Sequence, residues 1–277
     1  MPYNFLSCWL HVLLLMPLAV NATPLFDAHL HYNTSDAQVF SPQAVIARLD
    51  SNGIRYAAVT GIAVSHVAAL YKYAPERIVP LLGINRSHED KTAWVYDASL
   101  PSYVEAELKY GNWRGIGELH IFARDRHSPV FRRIVEIAAS WQLPLLIHGD
   151  PAVIDTVYDI APKQQVIWAH AGTFPYPDLI ADYLQRYPAL SIDLSMRDER
   201  IAPQGMLDDS WYELLVNYPE RFTTGVDTYS LSRWHEFDAA VKQMRNWLSQ
   251  LPDDVATQIA FSNAAALFKK SDKTSLD

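Results

Sequence analysis

The sequence predicts an α/β fold, a (β/α)8 barrel with an extra helix at its C-terminal end. Three observations carry that expectation. Short, largely apolar runs alternate with amphipathic helical stretches from residue 25 onward, and eight such runs can be counted. Strands that are apolar on both faces belong to a parallel sheet covered by helices. The repeat fills about 250 residues, the size of a TIM barrel. Polar residues stand at the C-terminal ends of most runs. A closed barrel gathers those ends at one mouth, whereas an open doubly wound sheet spreads them out.

The first strand, 25–32 (LFDAHLHY), ends in two histidines one residue apart. Alternation along a strand puts Asp27, His29 and His31 on one face. A polar loop leads to Ser41-Pro42, an N-cap followed by proline at the first helical position. Val45, Ile46 and Leu49 give that helix its apolar face, and Gly53 ends it. The second strand is 56–62 (YAAVTGI), followed by a helix over 64–73 that Ala74-Pro75 stops. The third is 78–85 (IVPLLGIN), followed by a long loop containing Trp94 and Tyr96 and a helix over 101–110. After the fourth strand, 113–122 (WRGIGELHIF), the helix over 129–142 carries Val130, Ile134, Ile137 and Ala138 on one stripe. The fifth strand is 143–150 (LPLLIHGD) with a helix over 151–160, and the sixth is 165–172 (QVIWAHAG) with a helix near 177–187. The seventh strand, 190–196 (LSIDLSM), passes through a polar loop to a helix over 209–218. The eighth is 222–229 (FTTGVDTY), and helices over about 232–251 and 253–269 close the chain.

Composition narrows the function classes. With 49% hydrophobic residues the chain can build a substantial core. The formal net charge of −8 argues against a nucleic-acid binder that relies on general phosphate attraction. A small-molecule substrate is therefore expected, and a homo-oligomer is compatible with the sequence. Residues 1–22 contain no Asp, Glu, Lys or Arg, and their apolar stretch is too short for a membrane span. Val20-Asn21-Ala22 has the small-x-small form of a cleavage site. The segment reads as a signal peptide, with an uncleaved anchor as the alternative. Residues 23–277 then form a single domain, periplasmic or secreted, without a membrane span. The only cysteine, Cys8, lies in the first segment, so the remainder has no disulfide, no thiolate nucleophile and no cysteine-type zinc site.

The strand ends supply His29 and His31, Glu118 and His120, His148, His170 and Asp227. Each alone has an ordinary reading: a hydrogen-bonded core histidine, a helix cap, a carboxylate paired with arginine. Together they would be buried polar groups crowded at one mouth, costly unless they share a task. Imidazoles and carboxylates converging on one cavity suit a divalent cation, Zn²⁺ first, with Mn²⁺, Fe²⁺ or Ni²⁺ also accommodated. Such an ion lowers the pKa of its water to roughly 7. Asp227 is then placed as general base and later acid, and His170 can polarise a carbonyl. Asp27 is either an acceptor that orients an imidazole N–H or a carboxylate at the barrel floor. Arg86, Arg124 and Arg197 follow strand ends and are candidates to grip a substrate carboxylate or phosphate, although a surface ion pair is the plainer reading of each. Trp94, Trp168 and Tyr229 are candidates to wall an apolar pocket. Strand parity with His170 turns Trp168 inward, and one bulge would reverse that.

FDAHLH, GIGELH, LLIHGD, IWAHAG and TGVD, in this order, resemble the amidohydrolase superfamily of metal-dependent hydrolases. The tail FSNAAALF (261–268) is similar to the terminal helix of its amidohydrolase-related branch, so the resemblance spans 25–269. It implies that His29, His31, His148 and Asp227 are metal ligands. It makes His170 either a ligand of a second metal or the group that orients the attacking water. Many members place a carboxylated lysine at the end of strand four. This chain has Glu118 there, which the resemblance makes a bridging or additional ligand and which leaves one or two ions open. The implied activity is hydrolysis of an ester, lactone or amide. A non-oxidative decarboxylase on the same frame is the alternative, and a binding protein that kept the barrel is a third.

Overall fold

The computed structural model describes residues 23–87 and 90–268. The expected signal peptide, Cys8 and the end of the last helix lie outside the described residues.

The eight expected strands are present as β1 (Leu25–His31), β2 (Ile54–Thr60), β3 (Ile78–Pro80), β4 (Ile116–Ile121), β5 (Leu145–Gly149), β6 (Val166–Trp168), β7 (Leu190–Asp193) and β8 (Phe222–Thr223). All neighbouring pairs are parallel, in the orders β1-β2-β3 and β4-β5-β6-β7-β8. Two seams close these ladders into one barrel. Between β3 and β4, Leu82 bridges Ile116, and the Leu82 N–H donates to the Gly115 carbonyl at 2.9 Å. Between β8 and β1, the Ala28 N–H donates to the Thr224 carbonyl at 2.8 Å, and the Asp227 N–H to that of His29 at 2.7 Å.

Two apolar layers hold the barrel. Outside it, residues such as Leu30, Val59, Ile147 and Ile192 pack against Leu49, Val67, Ile134 and Ile180 of the surrounding helices. The helix entries follow their sequence signals. The Ser41 hydroxyl accepts the Ala44 N–H, and the Ser128 hydroxyl accepts those of Val130 and Phe131, each with proline in the first turn. Inside, Phe26, Ala28, Ala58, Leu81, Leu146 and Ile167 form a second cluster, which Ala264 and Phe268 of the tail complete. The tail runs through Asp253–Thr257, a wide helical turn Gln258–Ser262 and Asn263–Leu267. The Asn263 amide ties it to the carbonyls of Pro219 and Phe222 at 2.7 and 2.8 Å. This floor fixes the inner ends of the strands and leaves the opposite mouth free for polar side chains.

Two departures from simple alternation matter for the site. In β1 the pairing with β2 shifts register between Asp27 and Leu30. Asp27 therefore does not line up with the histidines as expected. One of its carboxylate oxygens accepts the backbone N–H groups of His29 and Val226, both at 3.1 Å. The expected role of Asp27 as the acceptor of an imidazole N–H is thus corrected. It braces backbone across the β1–β8 seam, and burial pushes its carboxyl up to about 7. In β6 the strand stops at Trp168 and gives way to a tight turn, Ala169–Ala171, with His170 and Ala171 in the left-handed region (φ 58° and 53°). That turn breaks parity. Trp168 points outward into the helical layer, 0% exposed, with its ring 5.2 Å from that of Tyr183 and its indole N–H on the Gly149 carbonyl at 2.9 Å. The inward placement expected for Trp168 as a pocket wall is corrected by this turn.

Candidate metal centre

At the mouth of the barrel, the Glu118 carboxylate is ringed by five imidazoles. Its Oε2 lies 2.7 Å from His120 Nε2, 3.3 Å from His31 Nε2 and 3.7 Å from His29 Nε2. Its Oε1 lies 3.0 Å from His148 Nδ1 and 3.2 Å from His170 Nε2. Gly117 positions Glu118: its φ is +142°, and a Cβ there would stand 2.4 Å from the Leu146 carbonyl oxygen. Asp227 enters from the segment after β8. Its Oδ1 is 3.3 Å from His31 Nε2 and 3.8 Å from His29 Nε2, and its Oδ2 is 3.6 Å from His170 Nε2.

The tautomers are set by Asp193 at the end of β7 and by Ser195 just after it, neither of which stands among the candidates drawn from the sequence. His29 Nδ1 is 2.9 Å from Asp193 Oδ2, so its N–H donates to that carboxylate and Nε2 is the nitrogen that faces the cluster. His170 Nδ1 lies 3.2 Å from the Ser195 carbonyl and 2.9 Å from its hydroxyl oxygen, leaving its Nε2 likewise aimed inward. Asp193 also accepts the Ser195 hydroxyl at 2.5 Å and the His170 backbone N–H at 3.2 Å. The signal for Asp193 was present in LSIDLSM: a carboxylate at the end of a buried strand, like the others.

The electrostatics ask for positive charge. Burial works against charge on His29, yet the carboxylates of Asp227, Glu118 and Asp193 raise its pKa well above the ordinary imidazole range. Burial would raise Glu118, but His29 and the hydrogen bonds of His120, His148 and His170 hold it well below the usual carboxylate range. Asp193 is likewise opposed by burial and brought down to about 2 by His29 and His170 and the hydrogen bonds it receives. The donor atoms fit a divalent cation. His29 Nε2 and His31 Nε2 face each other at 3.2 Å, and the buried Asp227 Oδ1 has no hydrogen-bond partner. Three sets of donor atoms each lie within 4.8 Å of one another: His29, His31 and Glu118; His29, His170 and Asp227; and Glu118, His120 and His148.

The cluster opens into a small cleft of about 40 Å³, walled beside His31, Glu118 and His120 by Asn33, Asn85, Lys91 and Tyr229. Tyr229 lies at this cleft, whose lining is polar rather than the apolar pocket expected. The three arginines are elsewhere. Arg86 pairs with Asp97 and lines a separate hollow next to Trp94 and Tyr96. Arg124 is exposed, 4.7 Å above the Phe122 ring and paired with Asp125. Arg197 donates to the carbonyls of His170 (2.6 Å) and Gly172 (3.1 Å), clamping the left-handed turn. Trp94 is buried, its indole N–H on the His120 carbonyl at 2.8 Å. The cation that does line the cleft, Lys91, has no motif around it to single it out in the sequence.

The family described as TatD related DNase matches residues 26–174. No curated protein matches the chain. Among solved structures, 2,6-dihydroxybenzoate decarboxylase from Rhizobium is similar, with a TM-score of 0.60 at 11% identity, covering 89% of this chain and 99% of that one. An amidohydrolase from Burkholderia multivorans with bound zinc has a TM-score of 0.56 at 14% identity, covering 88% and 99%. The 5-carboxyvanillate decarboxylase of Novosphingobium aromaticivorans, solved with bound manganese, has a TM-score of 0.57 at 12% identity, covering 91% and 98%. At these identities the likeness establishes the barrel fold, in agreement with the fold expected from the sequence.

Proposed function

The chain belongs to the TatD-related DNase family, a (β/α)8-barrel family of metal-dependent hydrolases, and from that premise we propose that it cleaves an ester, lactone or amide bond of a small molecule with a divalent metal, foremost Zn²⁺. The observation that carries this reading is the convergence on His29 Nε2 and His31 Nε2, 3.2 Å apart, of Glu118 Oε2 (3.7 and 3.3 Å) and Asp227 Oδ1 (3.8 and 3.3 Å). His29, His31, Glu118 and Asp227 would hold the ion, with His148 and His170 on the far side of Glu118. The ion supplies a Lewis acid and a water activated at neutral pH.

The protein's own groups do the rest. Asp193 and Ser195, by holding Nδ1, keep Nε2 of His29 and His170 turned inward. Asp227 takes a proton from the attacking water and returns it to the leaving group, as the one carboxylate of the cluster with an unpartnered oxygen. His170 Nε2, 3.6 Å from Asp227 Oδ2, stands beside that carboxylate to help orient the same water. Lys91 and Asn85 face the substrate in the cleft. The net charge of −8 and a single lysine among the residues lining the cleft favour a small molecule over a polyanion.

Metal analysis of the purified protein, followed by chelation and reloading during assays on esters, lactones and amides, tests the reading. Absence of metal uptake by the folded protein would defeat it. A decarboxylase is the second reading, favoured by Lys91, the one Lys or Arg among the described residues that lines the cleft. Incorporation of ¹⁸O from water supports hydrolysis, and CO₂ release without it supports the lyase. We also propose that residues 1–22 are removed on export to the periplasm or beyond, which N-terminal sequencing of the secreted fraction checks. Among the described residues no helix is long and apolar enough to cross a membrane.

A further inference from the structure

Resting on the metal reading above, we propose that His120 is a ligand of a second divalent cation, shared with Glu118 and His148. His120 and His148 are register partners in the β4–β5 ladder. That pairing presents their rings side by side, 4.3 Å apart and 26° from parallel. His120 Nε2 approaches one oxygen of Glu118 at 2.7 Å and His148 Nδ1 the other at 3.0 Å. The three donor atoms all lie within 4.8 Å of one another. A cation bonded at about 2.1 Å to each needs ligand atoms up to roughly 4.2 Å apart, so small side-chain shifts suffice. Glu118 also belongs to the group with His29 and His31. The carboxylate therefore lies between two donor sets, the arrangement of a bridging ligand. His120 lines the cleft, so a hydrated ion can reach it, and the Trp94 indole N–H fixes its backbone carbonyl at 2.8 Å. The alternative is that His120 serves only as a hydrogen-bond donor to Glu118.

His120→Gln separates the two accounts, because glutamine can donate to Glu118 but is a poor metal ligand. The wild-type protein and the variant are dialysed against Mn²⁺, counted for bound metal, and examined by electron paramagnetic resonance for the spin coupling of a paired centre. The expected result is about two ions and a coupled signal for the wild type. The folded variant should bind about one ion, with the second site weakened at least tenfold and the coupling lost. A variant that binds the second ion as tightly as wild type overturns the proposal, and so does a wild type that binds one ion only. A wild type that binds none defeats the metal reading itself. If the variant does not fold, wild-type crystals soaked in Mn²⁺ decide. An anomalous peak within about 2.3 Å of His120 Nε2 supports the assignment, and its absence there overturns it.

Discussion

Asp193 decides which nitrogen of His29 faces the cluster. Its carboxylate accepts the Nδ1 N–H of His29 at 2.9 Å and is 0% exposed. Asp193→Asn keeps the size but removes the charge and allows the amide to present a donor to Nδ1, which favours the wrong tautomer. Metal affinity should fall about 10–100-fold with the fold retained, as loss of such outer carboxylates does elsewhere; a metal titration with circular dichroism checks this. Asp227→Asn tests a different atom. If Asp227 moves the proton, the variant should lose roughly 10²–10⁴ in turnover while its far-UV spectrum stays native. Unchanged turnover would remove Asp227 from the role given to it. The two variants part in their readouts: Asp193→Asn acts chiefly on metal binding, and Asp227→Asn also on the chemical step.

The turn after β6 is the element on which the site most depends. It holds His170 and Ala171 at positive φ, a conformation that costs a non-glycine residue about 1–3 kcal/mol. Arg197, from the loop after β7, offsets that cost by donating to the His170 and Gly172 carbonyls. Arg197→Lys leaves one cation but loses the fork. Charged hydrogen bonds of this kind are worth about 1.5–3 kcal/mol each. The variant should lose about tenfold or more in kcat while its unfolding temperature falls by roughly 3–12 °C for one lost bond, read from paired kinetics and thermal melts. This element also shows what the sequence could and could not tell. Strand ends were legible because an apolar run that finishes in His, Glu or Asp carries a polar group into a buried place, which is costly unless that group has partners there. Phase within a strand was not legible: a register shift in β1 and a left-handed turn in β6 reversed the facing of Asp27 and Trp168 without any change in residue pattern. Arg86, Arg124 and Arg197 followed strand ends as expected, but their partners, Asp97, Asp125 and two carbonyls, come from loop geometry that spacing does not encode.

At the scale of the whole molecule, the candidate ligands come from β1, β4, β5, the turn after β6 and the segment after β8, so they draw on both hydrogen-bonded ladders and sit close to the β8–β1 seam. The opposite end of the barrel is closed by apolar packing, with Phe26 stacked on Phe268 at 5.8 Å and Tyr56 and Phe261 around them. The two ends therefore contribute to stability in different ways. The floor depends on apolar burial, and Phe26→Ala should cost about 3–5 kcal/mol whether or not metal is present. The mouth gathers three mutually repelling carboxylates, Glu118, Asp193 and Asp227, and a bound cation would relieve that repulsion while linking ladders that otherwise meet through few hydrogen bonds. An ion that binds only the folded chain stabilises it by about 2.7 kcal/mol at a free concentration one hundred times its dissociation constant. For a domain of this size each kcal/mol moves the melting temperature by about 2–4 °C. Chelation should therefore lower the melting temperature by roughly 5–10 °C, and readdition of metal should restore it. The same treatment of Asp193→Asn should give a smaller shift at equal metal concentration, because its site is filled less. A melting temperature indifferent to chelation in the wild-type protein would show that the mouth holds its shape without a cation, and would count against the metal centre as the reason these groups are gathered there.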